Sequence, residues 1–234
     1  VSVSSRESEL DLPSLGSRRN LRQNVADALR GALITGQMAP GELYSAPKLA
    51  QEFGVSPTPV REAMLDLVSE GLVEAVRNKG FRVVRLNPAE LDELAEIRRL
   101  LEPPIMARVA RAVPEHPELA ERIEQLRPTA QQIVETASQQ DFLHYIELDT
   151  RFHLDFLALH GNARLVAQVR DLRGRSRLFG LAEMSAGGTL VPLAEEHEQM
   201  VDAGLAGDGP RMQQLVDQHI DHVRKEWAGA ARSA

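Results

Sequence analysis

The stretch from Ser45 to Leu86, SAPKLAQEFGVSPTPVREAMLDLVSEGLVEAVRNKGFRVVRL, leaves few folds open to this chain. Ser45 stands where a first short helix begins, Leu49, Ala50 and Phe53 share one of its faces, and Gly54 sits where a left-handed C-cap is required. Val55 packs back behind that cap, and Ser56 offers its hydroxyl as the next N-cap. Pro57 and Pro59 fall in a first turn whose N–H groups lack helical partners anyway, so they start a helix instead of breaking one. Val60, Ala63, Met64, Leu67 and Val68 then recur at helical spacing until Gly71, leaving Thr58, Glu62 and Ser69 on the other face with Arg61 at its edge. This is a helix-turn-helix with an exposed second helix. After it, Val73 to Val76 and Phe81 to Leu86 are β-prone runs around Arg77, Asn78, Lys79 and Gly80, which predicts a hairpin. The hairpin is basic, with Arg77, Lys79, Arg82 and Arg85. Upstream, Leu21, Val25, Ala28, Leu29, Ala32 and Leu33 mark a supporting helix that Gly36 stops.

The core VSPTPVREAMLDLVSEGLVE, with the wing behind it, resembles the winged helix of the GntR family of bacterial transcription regulators, over about residues 20 to 86. The resemblance implies double-stranded operator DNA as partner. Arg61 is expected at a guanine edge or adjacent phosphate in the major groove with Thr58 beside it, Lys79 and Arg82 on the backbone or minor groove, and Lys48 as a further contact. Arg18, Arg19 and Arg22 stand at the entrance of the supporting helix, within reach of phosphate or as a solvated cluster. Two positions depart from the family pattern. Pro57 replaces a basic contact found in many relatives, and Pro47 stands where an Arg is common. One short recognition helix reads only a few base pairs, so a homodimer on a pseudo-palindromic site is expected.

The net charge of −7 suits this reading once it is divided along the chain. Residues 1–87 carry 11 Lys+Arg against 10 Asp+Glu, which leaves 16 against 24 for the rest. A near-neutral head with clustered cations can neutralise phosphates, while the acidic remainder is repelled from the duplex. The chain has no cysteine, no apolar run near membrane-span length and no hydrophobic leader core in VSVSSRESELDLPSLGS. A soluble, cytoplasmic protein is the expectation, with residues 1–19 as a disordered arm.

Asn87-Pro88-Ala89-Glu90 predicts a capping box, and everything beyond it, residues 87–230, reads as helix. Candidate helices run over about 88–112, with a kink or break at Pro103-Pro104, 117–139, disturbed at Pro128, 141–160, 162–184, 190–206 and 209–228. With short connections these make an antiparallel bundle, so the whole chain is expected to be mainly α. Asp149 and His153 are four apart and share a helix face with Phe156 and Leu157. His197 and His219 lie on two further helices among apolar neighbours. Converging, the four would form an N/O set suited to Zn²⁺, Ni²⁺ or a neighbouring ion; apart, they would be hydrogen-bonded or surface groups.

DTRFHLDFLALHGNARL, together with EEH and DQHIDH, is similar to the all-helical C-terminal domain, of the FCD type, in the FadR subgroup of that family, over about residues 90 to 228. The resemblance implies Asp149, His153, His197 and His219 as ligands of a divalent transition metal, Zn²⁺ first and Ni²⁺ second, with His222 one turn from His219 as its competitor. It also implies Arg98, in EIRRLLEP, as the group that binds a small carboxylate effector, because its planar fork suits bidentate recognition. His116, His144 and His160 read as ordinary surface or helix-end residues. The alternatives to a ligand-controlled repressor are a DNA-tethered metalloenzyme and a structural metal bundle. The enzyme reading lacks an H-E-x-x-H helix and leaves the winged unit without a purpose.

Overall fold

The structure, a computed structural model, describes residues 18–85, 88–176 and 181–233. Its first unit is built from α1 (Arg18–Ile34), β1 (Leu43–Tyr44), α2 (Ala46–Phe53), α3 (Pro57–Ser69), β2 (Val73–Val76) and β3 (Gly80–Val83). Val25, Leu29 and Leu33 of α1, Leu49 of α2 and Val60, Met64 and Leu67 of α3 close one apolar core, against which Leu72, Val73 and Val83 of the wing also pack. Leu21 and Phe53, placed on apolar faces by their spacing, are more than a third exposed.

The turn between α2 and α3 forms as its residues require. Gly54 is left-handed, and the Val55 N–H reaches back to the Ala50 carbonyl. Ser45 and Ser56 occupy the N-cap positions with extended backbones, yet neither hydroxyl bonds the helix it precedes, so their expected side-chain caps are absent. The wing has three strands, in the order β1-β3-β2, not two. Leu43 pairs with Arg82 and Tyr44 with Phe81, which ties the wing to the start of α2. Arg85 does not extend the basic wing. It folds back to donate to the Pro40 carbonyl at 3.1 Å.

The second unit comprises α4 (Pro88–Ala112), α5 (Pro117–Glu124), α6 (Arg127–Gln139), α7 (Phe142–Ala158), α8 (Ala163–Ser176), α9 (Leu181–Ala186), α10 (Leu190–Leu205) and α11 (Gly209–Ser233). α4 packs along α11 and α10 on α6, while α7 lies between α6 and α8. The break expected at Pro103-Pro104 does not end α4, which continues through both prolines. The 117–139 segment instead divides around Leu126, with Pro128 at the favoured start of α6. Residues 1–17 of the expected arm, and Asn87 of the expected capping box, lie outside the described residues. No helix among the described residues is long and apolar enough to cross a membrane.

The two units touch. α7 rests on α1, where Leu143 faces Gly31.

Gly80 holds the wing to α2. Its φ of 127° is one that other residues rarely adopt, and a Cβ there would overlap the Tyr44 carbonyl. Gly80→Ala is therefore expected to destabilise the winged unit by about 1–3 kcal/mol, read as a lower thermal midpoint by circular dichroism; an unchanged midpoint would show that the β1-β3 contact yields freely.

Candidate metal centre and candidate nucleic-acid interface

Tyr145, Asp149 and His153 recur every fourth residue on the buried face of α7, so their polar atoms point into the bundle with the rings of Phe152 and Phe156 beside them. α10 brings His197 and α11 brings His219 to the same place, and all four groups from Asp149 to His219 are fully buried. One ligand atom from each lies within 4.8 Å of every other. His153 Nε2 is 3.2 Å from His197 Nε2, which is 3.2 Å from Asp149 Oδ1; His219 Nε2 stands 3.9 Å from that oxygen. Ligand atoms placed tetrahedrally about 2.0–2.1 Å from one ion are about 3.3 Å apart. The first two distances match that spacing and the His219 side is wider.

Neighbouring groups fix which nitrogen of each ring faces the centre. His197 Nδ1 lies 2.9 Å from the Ala194 carbonyl, which can only accept, so Nδ1 carries a proton and Nε2 is the nitrogen turned to the centre. His219 Nδ1 is likewise turned to the Glu196 carboxylate at 2.8 Å, the carboxylate–histidine arrangement that orients metal ligands. His222, on the next turn, is half exposed and bonds the other Glu196 oxygen, so the ambiguity at the chain's end resolves toward His219 as the inward ring. Burial pushes His153 well below its ordinary value, and Arg173 and the other two rings add to that effect, which keeps it neutral.

The donor set therefore fits a divalent ion: one carboxylate and three imidazoles, buried, oriented and aimed at one point.

Arg98 and Arg99 separate as helix geometry demands. Arg98 is buried and donates from Nε to Glu102 Oε1 at 2.6 Å, whereas Arg99 pairs with Asp221 at the surface of α11. A second buried arginine, Arg173 of α8, joins this group: Nη1 donates to Glu102 Oε2 at 2.7 Å and Nη2 to Asp149 Oδ2 at 2.6 Å. Two guanidinium and two carboxylate groups balance one another with no solvent contact. Burial lowers the Arg98 pKa, Glu102 opposes that shift and Arg173 adds to it, and the group remains a cation. Its Nη2 is buried with no hydrogen-bond partner among the described residues.

Arg173 and Glu102 are the residues that sequence reasoning missed. Arg173 follows buried Val169 by one helical turn, a position on the inward stripe of α8, and that spacing was the available signal. His116 and His144 are exposed beside Glu118 and Asp141, and His160 is half-buried at a helix end.

On the other unit, Thr58, Arg61, Lys48, Lys79 and Arg82 are all exposed. Among the described residues, Lys48, Arg61 and Lys79 have no acidic group within ion-pair distance, but Arg82 pairs with Glu74, its cross-strand neighbour, at 2.9 Å. Ion pairs Arg22–Asp66 and Arg30–Glu70 join α1 to the C-terminal half of α3 and to Glu70 just beyond it. The side chains of Arg18 and Arg19 lie outside the described residues.

A helix-turn-helix with a three-stranded wing, followed by a helical bundle around an Asp/His₃ cluster, has close counterparts. Residues 21–83 match the bacterial regulatory proteins of the gntR family, and residues 93–222 match the FCD domain. The chain belongs to the GntR family of transcription regulators, with an FCD C-terminal domain. It is 30% identical over 209 residues to the probable D-xylose utilization operon transcriptional repressor of Paenarthrobacter nicotinovorans, spanning 87% of this chain and 89% of that one. It is 25% identical to the gluconate operon transcriptional repressor of Bacillus licheniformis, over 89% of this chain and 85% of the relative. The solved structure of Escherichia coli McbR/YncC superposes with a TM-score of 0.64 at 23% identity, covering 86% of this chain and 94% of that one, and shows the same fold. This family and these relatives are transcriptional regulators and not enzymes, and DNA-binding regulation of transcription is the activity they establish for this chain.

Removing the Glu102 carboxylate would leave Arg98 and Arg173 buried without it. Glu102→Ala is expected to destabilise the chelator-treated protein by about 3–5 kcal/mol, measured by urea unfolding; a loss below about 1 kcal/mol, the scale of an exposed pair, would mean that water reaches this group.

Proposed function

We propose that this regulator is a homodimeric repressor whose operator affinity is set by a small carboxylate bound beside a divalent transition ion, Zn²⁺ in preference to Ni²⁺, at Asp149, His153, His197 and His219. The observation that carries the effector reading is Arg98 Nη2, a buried cationic donor without a hydrogen-bond partner among the described residues, on the helix that leaves the wing. Charge supports it too. The buried Arg98, Arg173, Glu102 and Asp149 cancel, so a divalent ion would add two uncompensated positive charges in a dry interior, and an anion would offset them. The ion would supply a Lewis-acidic centre for one carboxylate oxygen, while Arg98 donates to the other.

Two helices connect this site to the head. α4 carries Arg98 and begins just beyond the wing, and α7 carries Asp149 and His153 and rests on α1, which packs on α3. An acid that prefers the DNA-incompetent arrangement must lower operator affinity by the same factor that DNA lowers affinity for the acid, typically about 1–3 kcal/mol of coupling.

The dimer reading draws on half-site geometry and on α4, where Ile97 and Leu100 are exposed three residues apart, Leu100 by 69%.

For DNA, Arg61→Ala is expected to cost about 1–3 kcal/mol of specific operator binding, while Lys79→Ala weakens all sequences alike. Sedimentation of the same complexes should give two chains per operator. A folded Arg61→Ala protein with wild-type operator affinity, or a single chain on the operator, would remove the corresponding part of the reading.

For the effector, His153→Ala should abolish tight Zn²⁺ binding and lower thermal stability, since metal binding free energy is also folding free energy. Arg98→Ala should retain Zn²⁺ and lose its response to a library of organic acids in operator binding. If Arg98→Ala still releases DNA with the same acid at the same concentration, the carboxylate clamp lies elsewhere.

A further inference from the structure

The exposed face of α3 holds one residue that neither charge nor hydrogen bonding accounts for. Leu65 is 52% exposed. A helix turns about 100° per residue, so Val60, Ala63, Met64 and Leu67, all fully buried, define the inward direction of α3. By the same count Leu65 lies about 30° from the direction opposite to them. It is one turn beyond Arg61, two beyond Thr58 and three residues from Glu62, with exposed polar groups around it. Single exposed leucines elsewhere on a surface need no account. This one occupies the centre of the face that, in the reading above, enters the major groove.

Apart from ring C–H groups, the base edges in the major groove present hydrogen-bond donors and acceptors and one projecting apolar group, the C5-methyl of thymine. A leucine pressed against donors and acceptors would strip them of water and return nothing; against a methyl it buries apolar surface on both sides. We infer that Leu65 of α3 is a sequence-reading residue that packs on the C5-methyl of a thymine adjacent to the base pair read by Arg61. The inference rests on α3 being the DNA face. It gives this regulator a source of specificity at a helix face where Pro57 supplies no polar side chain.

The test removes only the methyl. The full-length protein selects its operator from random duplex DNA, and each thymine in the selected site is then replaced in turn by deoxyuridine, which pairs identically but lacks the C5-methyl. For the wild type, one such swap per half-site should weaken binding about fourfold, the effect of burying one methyl group. For Leu65→Ala the same swap should have no effect, while Leu65→Met restores part of it. This cycle between side chain and base isolates the contact from any general loss of affinity. Because Leu65 is exposed, the thermal midpoint of Leu65→Ala should match the wild type. If no swap affects the wild type more than Leu65→Ala, the inference is overturned. Arg61→Ala, run alongside, then separates the two failures: if it weakens binding, only the role of Leu65 falls, and if it does not, the DNA face of α3 falls with it. A Leu65→Ala protein that changes its sedimentation without coupling to any thymine would instead place Leu65 between two protein copies, and would equally overturn it.

Discussion

The guanidinium of Arg173 bridges Glu102 on α4 and Asp149 on α7, and the arrangement of the bundle's interior depends on that bridge. Buried charge tolerates little freedom, because an ion without its partner in such a place is far more costly than any exposed pair is stabilising. α4, α7 and α8 are thereby fixed in relative position by three residues instead of by apolar packing alone, which would permit small slides at little cost. The bridge also orients the Asp149 carboxylate. With Oδ2 held by Arg173, Oδ1 is left facing the three imidazoles, and each of two of those is held in turn by a group behind it, the Ala194 carbonyl and Glu196.

The winged unit solves a different problem. Its first three helices have enough leucine, valine and alanine for a core, but the surface that meets DNA must remain free of internal partners. The structure divides its cations accordingly. Arg22 and Arg30 are used against Asp66 and Glu70 to seat α3 on α1, and Arg85 secures the loop before the wing. Arg61, Lys48 and Lys79 are left outside such pairs among the described residues, while Arg82 faces Glu74 across the ribbon.

Much of this was legible in the residues. The Gly54 turn, the prolines that open α3 and the Asp149-to-His153 spacing are local signals, and each produces its element or its shared face wherever the chain goes next. What spacing alone could not decide, whether His197 and His219 meet that pair, was left to the family motif, and the fold does bring the four together. The features that were missed are non-local. A two-residue strand such as Leu43–Tyr44 has no periodicity to detect and exists only because β3 lies beside it. Arg173 is one of several arginines on α8; its spacing from Val169 sets it on the apolar stripe, unlike exposed Arg170, but its partners Glu102 and Asp149 come from other helices. The hydroxyls of Ser45 and Ser56 show the converse: a favoured residue at a favoured position whose side chain turns elsewhere.

The two prolines inside α4 have a mechanical consequence. Neither has an N–H to donate, so the carbonyls of Arg99 and Leu100 lack the rungs that would stiffen any other turn of that helix. Bending resistance in a helix resides largely in those rungs, and it is lowest where they are missing. The soft point falls directly after Glu102. α4 is thus a rod with a compliant joint set beside its own buried charges, and α11 lies against it on both sides of that joint, at Asp92 and Arg99 before the prolines and at Ala107 and Arg111 after them.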